Sequence, residues 1–248
     1  ILQYFHDTYD IDESLFEMLK YDATFYRRAD PLRHPLIFYF GHTAALYINK
    51  LIPAKLLGER INPTYESMFA VGVDEMSWDD LDEQHYDWPS VAEVQAYRDR
   101  VRVVVDELIQ NMPLHLPITW DSPWWVIMMG IEHSRIHLET SSVIIRRLPL
   151  DQVRQLPLWE ICEETGQAPH NQLLPVAGGR VTLGKARDHA LYGWDNEYGR
   201  HEFDVDDFQA SQYLVSNQEF KTFVDAGGYR SEDWWTEEGR RWLEFSQA

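Results

Sequence analysis

The sequence contains a single cysteine, and this scarcity limits the kinds of site that the chain can build. One thiol cannot form an internal disulfide framework, and it excludes any zinc site made from two or more cysteines. Ten histidines are present, so a metal site would have to draw most of its ligands from imidazole. We expect Cys162 to be a buried structural thiol, because its neighbours form no pattern that activates a thiol.

Basic residues are also scarce, with 22 Lys and Arg against 41 Asp and Glu, which gives a formal net charge of −19. A partner with a phosphate backbone requires a basic face, so this balance argues against nucleic acid and against an anionic membrane surface. The longest uncharged apolar stretch, 124–131, falls far short of the roughly 20 residues of a membrane span. No basic, apolar leader opens the chain. We therefore expect a cytoplasmic protein, and a start at Ile1 suggests a piece of a longer one.

Apolar residues recur at helical spacing in the first 150 residues. The pattern predicts four helices, over residues 9–28, 36–51, 91–112 and 124–147. The second is apolar on nearly every side, which is typical of a buried central helix. Ser90 and Glu93 form a capping box before the third. The segments between helices are expected to be loops, with the acidic run 74–87 exposed to solvent. This arrangement predicts an up-down four-helix bundle.

After Leu150 the composition changes to turn-rich segments, short β-type runs and two short helical patterns. These features predict the beginning of an irregular α+β domain, so that the fold class is mainly α with a smaller mixed part. We place the bundle, a linker and the incomplete second domain at residues 1–160, 161–175 and 176–248.

Three histidines form the most informative pattern. His133 and His137 are four residues apart on the fourth predicted helix, so both imidazoles lie on one face and could bind the same ion. His42 lies in the apolar helix, where a buried imidazole needs a partner. Glu139 lies on roughly the opposite face from His137, which suits a supporting partner better than a third ligand. We place His34 at the entrance of the apolar helix in a structural role.

Spacing alone leaves two interpretations open. A hydrogen-bonded core histidine at His42, with an exposed pair at His133 and His137, accounts for the pattern slightly better than a shared ion does. If the three imidazoles do bind one ion, open coordination positions would suit zinc hydrolysis and iron(II) oxygen chemistry about equally well.

Longer motifs resemble a known family. The histidine pattern is similar to the iron site in the DinB-like half of the sulfoxide synthases, which build ergothioneine and ovothiol. Residues 192–202, 214–220 and 225–230 resemble the opening of a formylglycine-generating-enzyme-like (sulfatase-modifying factor) domain. The ovothiol branch, 5-histidylcysteine sulfoxide synthase, looks closest. The motifs behind that choice are RHPLIFYFGHT at 33–43, FAVGVDEMSWDD at 69–80, IHLETSS at 136–142 and WDNEYG at 194–199.

The resemblance implies an oxidoreductase that holds Fe(2+) with His42, His133 and His137, and it overturns the reading from spacing alone. It implies coupling of L-cysteine to the imidazole of L-histidine with O2, giving a C–S bond and a sulfoxide in ovothiol biosynthesis. The family's active-site tyrosine is expected beyond Ala248, so no catalytic residue is assigned. A methyltransferase domain is also expected beyond this piece.

Three alternatives remain beside that reading. One is an ergothioneine- or selenoneine-type synthase that acts on trimethylhistidine. Another is a DinB-type zinc-dependent thiol transferase, against which the WDNEY motif at 194–198 argues. The last is a non-catalytic metal-binding module.

Overall fold

The computed structural model describes residues 1–70, 86–160, 163 and 165–247. The chain divides into two compact units. The first contains Ile1–Ile161 and Arg187–Glu197, and the second contains Cys162–Ala186 and Tyr198–Ala248. Cys162 and most of the acidic run 74–87 lie outside the described residues. The predicted domain and linker limits stay a prediction, although Arg187–Glu197 belongs to the first unit rather than to the second.

The described part of the first unit contains six α-helices: α1 (Leu2–Phe16), α2 (Asp22–Phe25), α3 (Leu36–Leu51), α4 (Pro63–Met68), α5 (Val91–Asn111) and α6 (Pro123–Ile145). The long helices α1 and α3 each pack against both α5 and α6, which produces a four-helix bundle. Helix α3 is its centre, because nearly all of its residues are buried. The predicted helices at α3, α5 and α6 are confirmed, as is the capping box of Ser90 and Glu93 at the start of α5.

The first predicted helix was placed too far along the chain. Helix α1 ends at Phe16, and the remainder of the predicted helix contains only the single turn α2. The cause is a tertiary contact, because Leu19 forms an antiparallel bridge with Val153 and so adopts an extended conformation. The short helix α4 was missed, although its start was readable: the Asn62 side chain accepts a hydrogen bond from the Tyr65 amide, and proline follows Asn62.

Among its described residues, the second unit has four short strands and two α-helices: β1 (Leu173–Val176), β2 (Gly179–Leu183), β3 (His201–Val205), β4 (Phe208–Ser211), α7 (Asn217–Asp225) and α8 (Glu237–Ser246). Strand β1 pairs antiparallel with β4, and β2 pairs antiparallel with β3, with Val181 opposite Phe203. A capping box of Ser216 and Glu219 starts α7.

The fold class is confirmed: a helical bundle is followed by a smaller part that combines strands and helices. None of the described helices combines the length and the apolar composition that crossing a membrane requires.

Candidate metal centre

Three imidazoles meet inside the bundle. His42 projects from α3, and His133 and His137 project from α6. The Nε2 atom of His133 lies 3.1 Å from the Nε2 atom of His42 and 3.1 Å from the Nε2 atom of His137. One nitrogen from each ring therefore lies within 4.8 Å of the others, which is an arrangement that can hold a metal ion. The structure brings together the three histidines named as ligands from the sequence.

Close packing of α3 on α6 makes this meeting possible. Gly130 faces the ring of Tyr47, and a Cβ atom at Gly130 would lie only 2.2 Å from the Tyr47 ring. The absence of a side chain thus lets the two helices approach, one turn before His133 on α6. The four-residue spacing of His133 and His137 then directs both rings toward α3.

Contacts of the outer ring nitrogens orient two of the three imidazoles. Nδ1–H of His42 donates a hydrogen bond to the main-chain carbonyl of Phe69, at 2.6 Å. Nδ1 of His137 lies 3.3 Å from the hydroxyl of Thr140. These partners favour the tautomer that leaves Nε2 with a free lone pair, which is the form that binds a metal ion. Nδ1 of His133 is buried, with no hydrogen-bond partner in the described part of the chain.

Burial favours the neutral forms of His133 and His137. Burial, together with the charges of His137, His42 and Lys50, lowers the pKa of His133 to about 2. Burial and the proximity of His42 lower the pKa of His137 to about 3. Protonated imidazoles would repel each other at these distances, whereas neutral rings can share a cation, so these residues fit a bound metal ion.

Gly41 supports the site from the residue before His42. The ring of Phe69 lies against Gly41, and a Cβ atom there would lie 2.4 Å from that ring. The glycine therefore lets Phe69 approach closely enough for its carbonyl to accept the hydrogen bond from His42.

Among the described residues, neither Glu139 nor any other histidine joins the group of three. Glu139 is exposed, so its expected supporting role stays a prediction that its surroundings do not favour. Thr140, which sequence reasoning did not single out, contacts His137 instead. His34 is buried and stacks on Phe38, with ring centroids 4.4 Å apart, which agrees with a structural role.

A cavity of about 550 Å³ opens beside His42 and His133. Helices α3 and α6 form one part of its wall, and the segment Arg187–Glu197 of the same unit adds aromatic side chains. Trp125 contacts Tyr192, with ring centroids 5.0 Å apart, and Tyr192 meets Trp194 edge to face. The bundle pattern gave no sign of this wall, because its parts are about 65 residues apart in the sequence. The volume suits a small molecule.

Comparisons with known proteins agree with this architecture. The model of the DinB superfamily matches residues 4–141, which is more than half of the chain. The model of the sulfatase-modifying factor enzyme 1-like domain matches residues 160–248.

Three relatives carry related names. The chain is 27% identical over 226 residues to hercynine oxygenase of Mycolicibacterium smegmatis, covering 88% of this chain and 49% of the relative. It is 25% identical over 228 residues to hercynine oxygenase of Mycolicibacterium thermoresistibile, covering 88% of this chain and 47% of the relative. Ergothioneine biosynthesis protein 1 of Neurospora crassa is 24% identical over 213 residues, or 78% of this chain and 24% of the relative.

The chain spans about half the length of the two hercynine oxygenases. The order of the two matched domains agrees with the resemblance seen in the sequence motifs. The chain therefore belongs to the DinB superfamily, in the branch that joins a DinB bundle to a sulfatase-modifying-factor-like segment and includes proteins named for ergothioneine synthesis.

Proposed function

We propose that this chain carries the metal centre of an iron(II)- and O2-dependent sulfoxide synthase, an oxidoreductase that couples a thiol to the imidazole of a histidine-type substrate. The observation that carries the proposal is the convergence of three imidazoles beside a cavity of small-molecule size. Three neutral nitrogen ligands leave coordination positions open for a thiolate and for O2. The family resemblance and the names of the relatives support oxygen chemistry over hydrolysis.

The overall reaction balances without a further reductant. The thiol S–H bond and one imidazole C–H bond break, and a C–S bond forms. O2 accepts four electrons in total, two from forming the C–S bond and two from oxidising sulfur. One oxygen atom remains on sulfur as the sulfoxide, and the other leaves as water with the two protons. Bound iron(II) would supply the one-electron steps that O2 requires.

The residues of the chain would position and shield these reactants. His42, His133 and His137 would hold the ion, and the Phe69 carbonyl would keep the His42 ring in its orientation. Trp125 and Tyr192 would exclude water from one side of the cavity. Holding thiol and imidazole in one cavity makes their encounter effectively intramolecular, which is a large part of the rate advantage.

The identity of the imidazole substrate is the most specific part of the proposal. The names of the two hercynine oxygenases favour hercynine, the trimethylated form of histidine, over the L-histidine that the ovothiol-type motifs implied. The thiol substrate is proposed to be cysteine or a close derivative of it. Both choices are open to direct comparison with the same preparation.

The test begins with iron(II) added anaerobically to the full chain together with cysteine, followed by O2. Parallel samples contain L-histidine, hercynine or neither, and O2 consumption and product mass are measured. We expect iron-dependent O2 uptake with a product that gains the thiol and one oxygen atom. Hercynine is expected to give the faster uptake, and faster uptake with L-histidine would reverse the choice of substrate.

A zinc-dependent thiol transferase is the second candidate, because a site with three histidines and an open position also suits zinc. The same titration separates the two. Tight zinc binding with thiol transfer, and no O2 uptake after iron loading, would replace the proposed function by this one. The match to the sulfatase-modifying factor domain argues for the first candidate.

A further inference from the structure

The cavity beside the histidine triad carries two charged side chains of opposite sign. Lys50 lies at the end of α3, and Asp195 lies in the segment Arg187–Glu197 of the same unit. Lys50 is eight residues after His42, which places it about 12 Å farther along the helix axis. His42, Leu46 and Lys50 therefore line the same cavity at successive points along α3.

Neither charge is neutralised within the part of the chain that the structure describes. Lys50 and Asp195 are exposed, and their side chains make no hydrogen bond or ion pair with a described residue. An unpaired ammonium group is notable here because acids outnumber bases by 41 to 22 in this chain. Both groups can thus accept a ligand without first breaking an internal ion pair.

The rest of the cavity lining is largely aromatic and apolar. Trp125 and Met129 on α6, and Tyr192 and Trp194 beside Asp195, contribute to it. The aromatic faces also attract a cationic group.

We infer that Lys50 and Asp195 recognise the two ends of a zwitterion, Lys50 binding the carboxylate and Asp195 the α-ammonium group of an amino-acid-like substrate. The side chain of that substrate then points along the cavity toward His42 and His133. This inference rests on the proposed function for its choice of ligand and assigns two specificity-determining residues. It applies to histidine and to its N-methylated form alike, since both keep the carboxylate and a cationic nitrogen.

Calorimetric binding to the metal-free full chain tests the assignment with three imidazole probes. L-Histidine has both charged groups, histamine lacks the carboxylate, and imidazole-4-propionate lacks the ammonium group. The substitution Lys50→Met should weaken L-histidine and imidazole-4-propionate about five- to tenfold and leave histamine unchanged. The substitution Asp195→Asn should weaken L-histidine and histamine by a similar factor and leave imidazole-4-propionate unchanged.

Matched controls remove one positive and one negative charge at other surface positions. Lys20→Met and Asp188→Asn change exposed residues outside the cavity lining and should leave all three affinities unchanged. Lys50→Arg keeps the positive charge and should retain most of the binding of L-histidine. Equal weakening of all probes by Lys50→Met, no weakening, or no binding of L-histidine to the wild-type chain would overturn the inference.

Oxygen uptake in the iron-loaded preparations separates this inference from the proposed function. Uptake that persists while the probe pattern is absent would refute the roles of Lys50 and Asp195 and leave the synthase proposal in place. The expected probe pattern without any O2 uptake would refute the synthase proposal and leave the roles of Lys50 and Asp195 in place.

Discussion

Two polar clusters lie on either side of helix α3, and they are built on neighbouring residues. The histidine triad consists of His42, His133 and His137. The arginine cluster, on the other side, consists of Arg98, Asp12 and Thr43. In the arginine cluster the guanidinium group is fully buried and bonds to Asp12 at 2.8 Å and to Thr43 at 2.9 Å. Thr43 in turn donates a hydrogen bond to Asp12.

The difference between the clusters lies in how their polar atoms are satisfied. In the arginine cluster donors meet acceptors, and only Oδ1 of Asp12 lacks a partner among the described residues. In the triad three imidazole nitrogens from α3 and α6 converge within 4.8 Å of one another, which is the arrangement of a metal site. Buried groups with complementary partners stabilise a fold, whereas converging imidazole nitrogens suit a bound metal ion. We therefore assign structure to the first cluster and function to the second.

The largest expected effect is on stability, from the arginine cluster. Arg98→Met leaves the Asp12 carboxylate buried without its counter-charge, and we expect a loss of about 3–5 kcal/mol in the free energy of unfolding. Urea denaturation measures this loss. The double variant Arg98→Met with Asp12→Leu should recover most of it, because both charges are then removed. A loss below about 1 kcal/mol in the single variant would contradict the structural role assigned to the arginine cluster.

Acid is expected to destabilise the metal-free chain through the triad. The pKa of His133 is about 2 and that of His137 about 3 in the folded chain, while an unfolded histidine has a pKa of about 6.5. Between these values the unfolded chain binds more protons, so stability is complete above pH 6.5 and falls as the pH decreases. The slope is about 1.4 kcal/mol per pH unit for each proton taken up on unfolding.

Melting temperatures from pH 7.5 to 4.5 measure this dependence. The variant His133→Gln with His137→Gln should show a flatter profile over that interval, and Gly58→Ala, whose added Cβ has no atom within 4 Å, should keep the wild-type slope. A profile unchanged in the double histidine variant would assign the acid sensitivity to other groups.

Gly41→Ala tests the contact that orients His42. The added Cβ atom would lie 2.4 Å from the Phe69 ring, and we expect a loss of about 1–3 kcal/mol through displacement of Phe69. Metal affinity should fall as well, because the Phe69 carbonyl moves away from His42. Gly58→Ala is the matched control, since no atom lies within 4 Å of its added Cβ. Stability equal to that of the control would show that Phe69 is free to shift.

The smallest expected effect distinguishes Thr140 from Glu139. Thr140→Val removes the hydroxyl beside Nδ1 of His137, and we expect metal affinity to decrease about tenfold with little change in stability. Glu139→Gln changes an exposed residue and should leave metal affinity unchanged. Competition with a chelating dye measures both. A larger effect at Glu139 would restore the role that the sequence suggested for it.

The sequence predicted much of this architecture because its signals were local. The apolar pattern of α3 and the capping box of α5 identified these helices, and the spacing of His133 and His137 placed both rings on one face. Contacts between distant segments were not predictable in the same way. The end of α1 depends on Leu19 pairing with Val153, and the cavity wall depends on Tyr192 reaching Trp125. Neither contact leaves a periodic signal in the sequence.

The most direct test of the central claim is the iron content of His42→Gln after anaerobic loading and removal of free metal. We predict about one iron(II) ion per chain for the wild type and nearly none for the variant, with the two urea midpoints close to each other. This outcome would show that His42 is required for iron binding and not for stability. Its neighbour Thr43 belongs to the arginine cluster, to which the stabilising role is assigned. Unchanged iron content in His42→Gln would contradict the account.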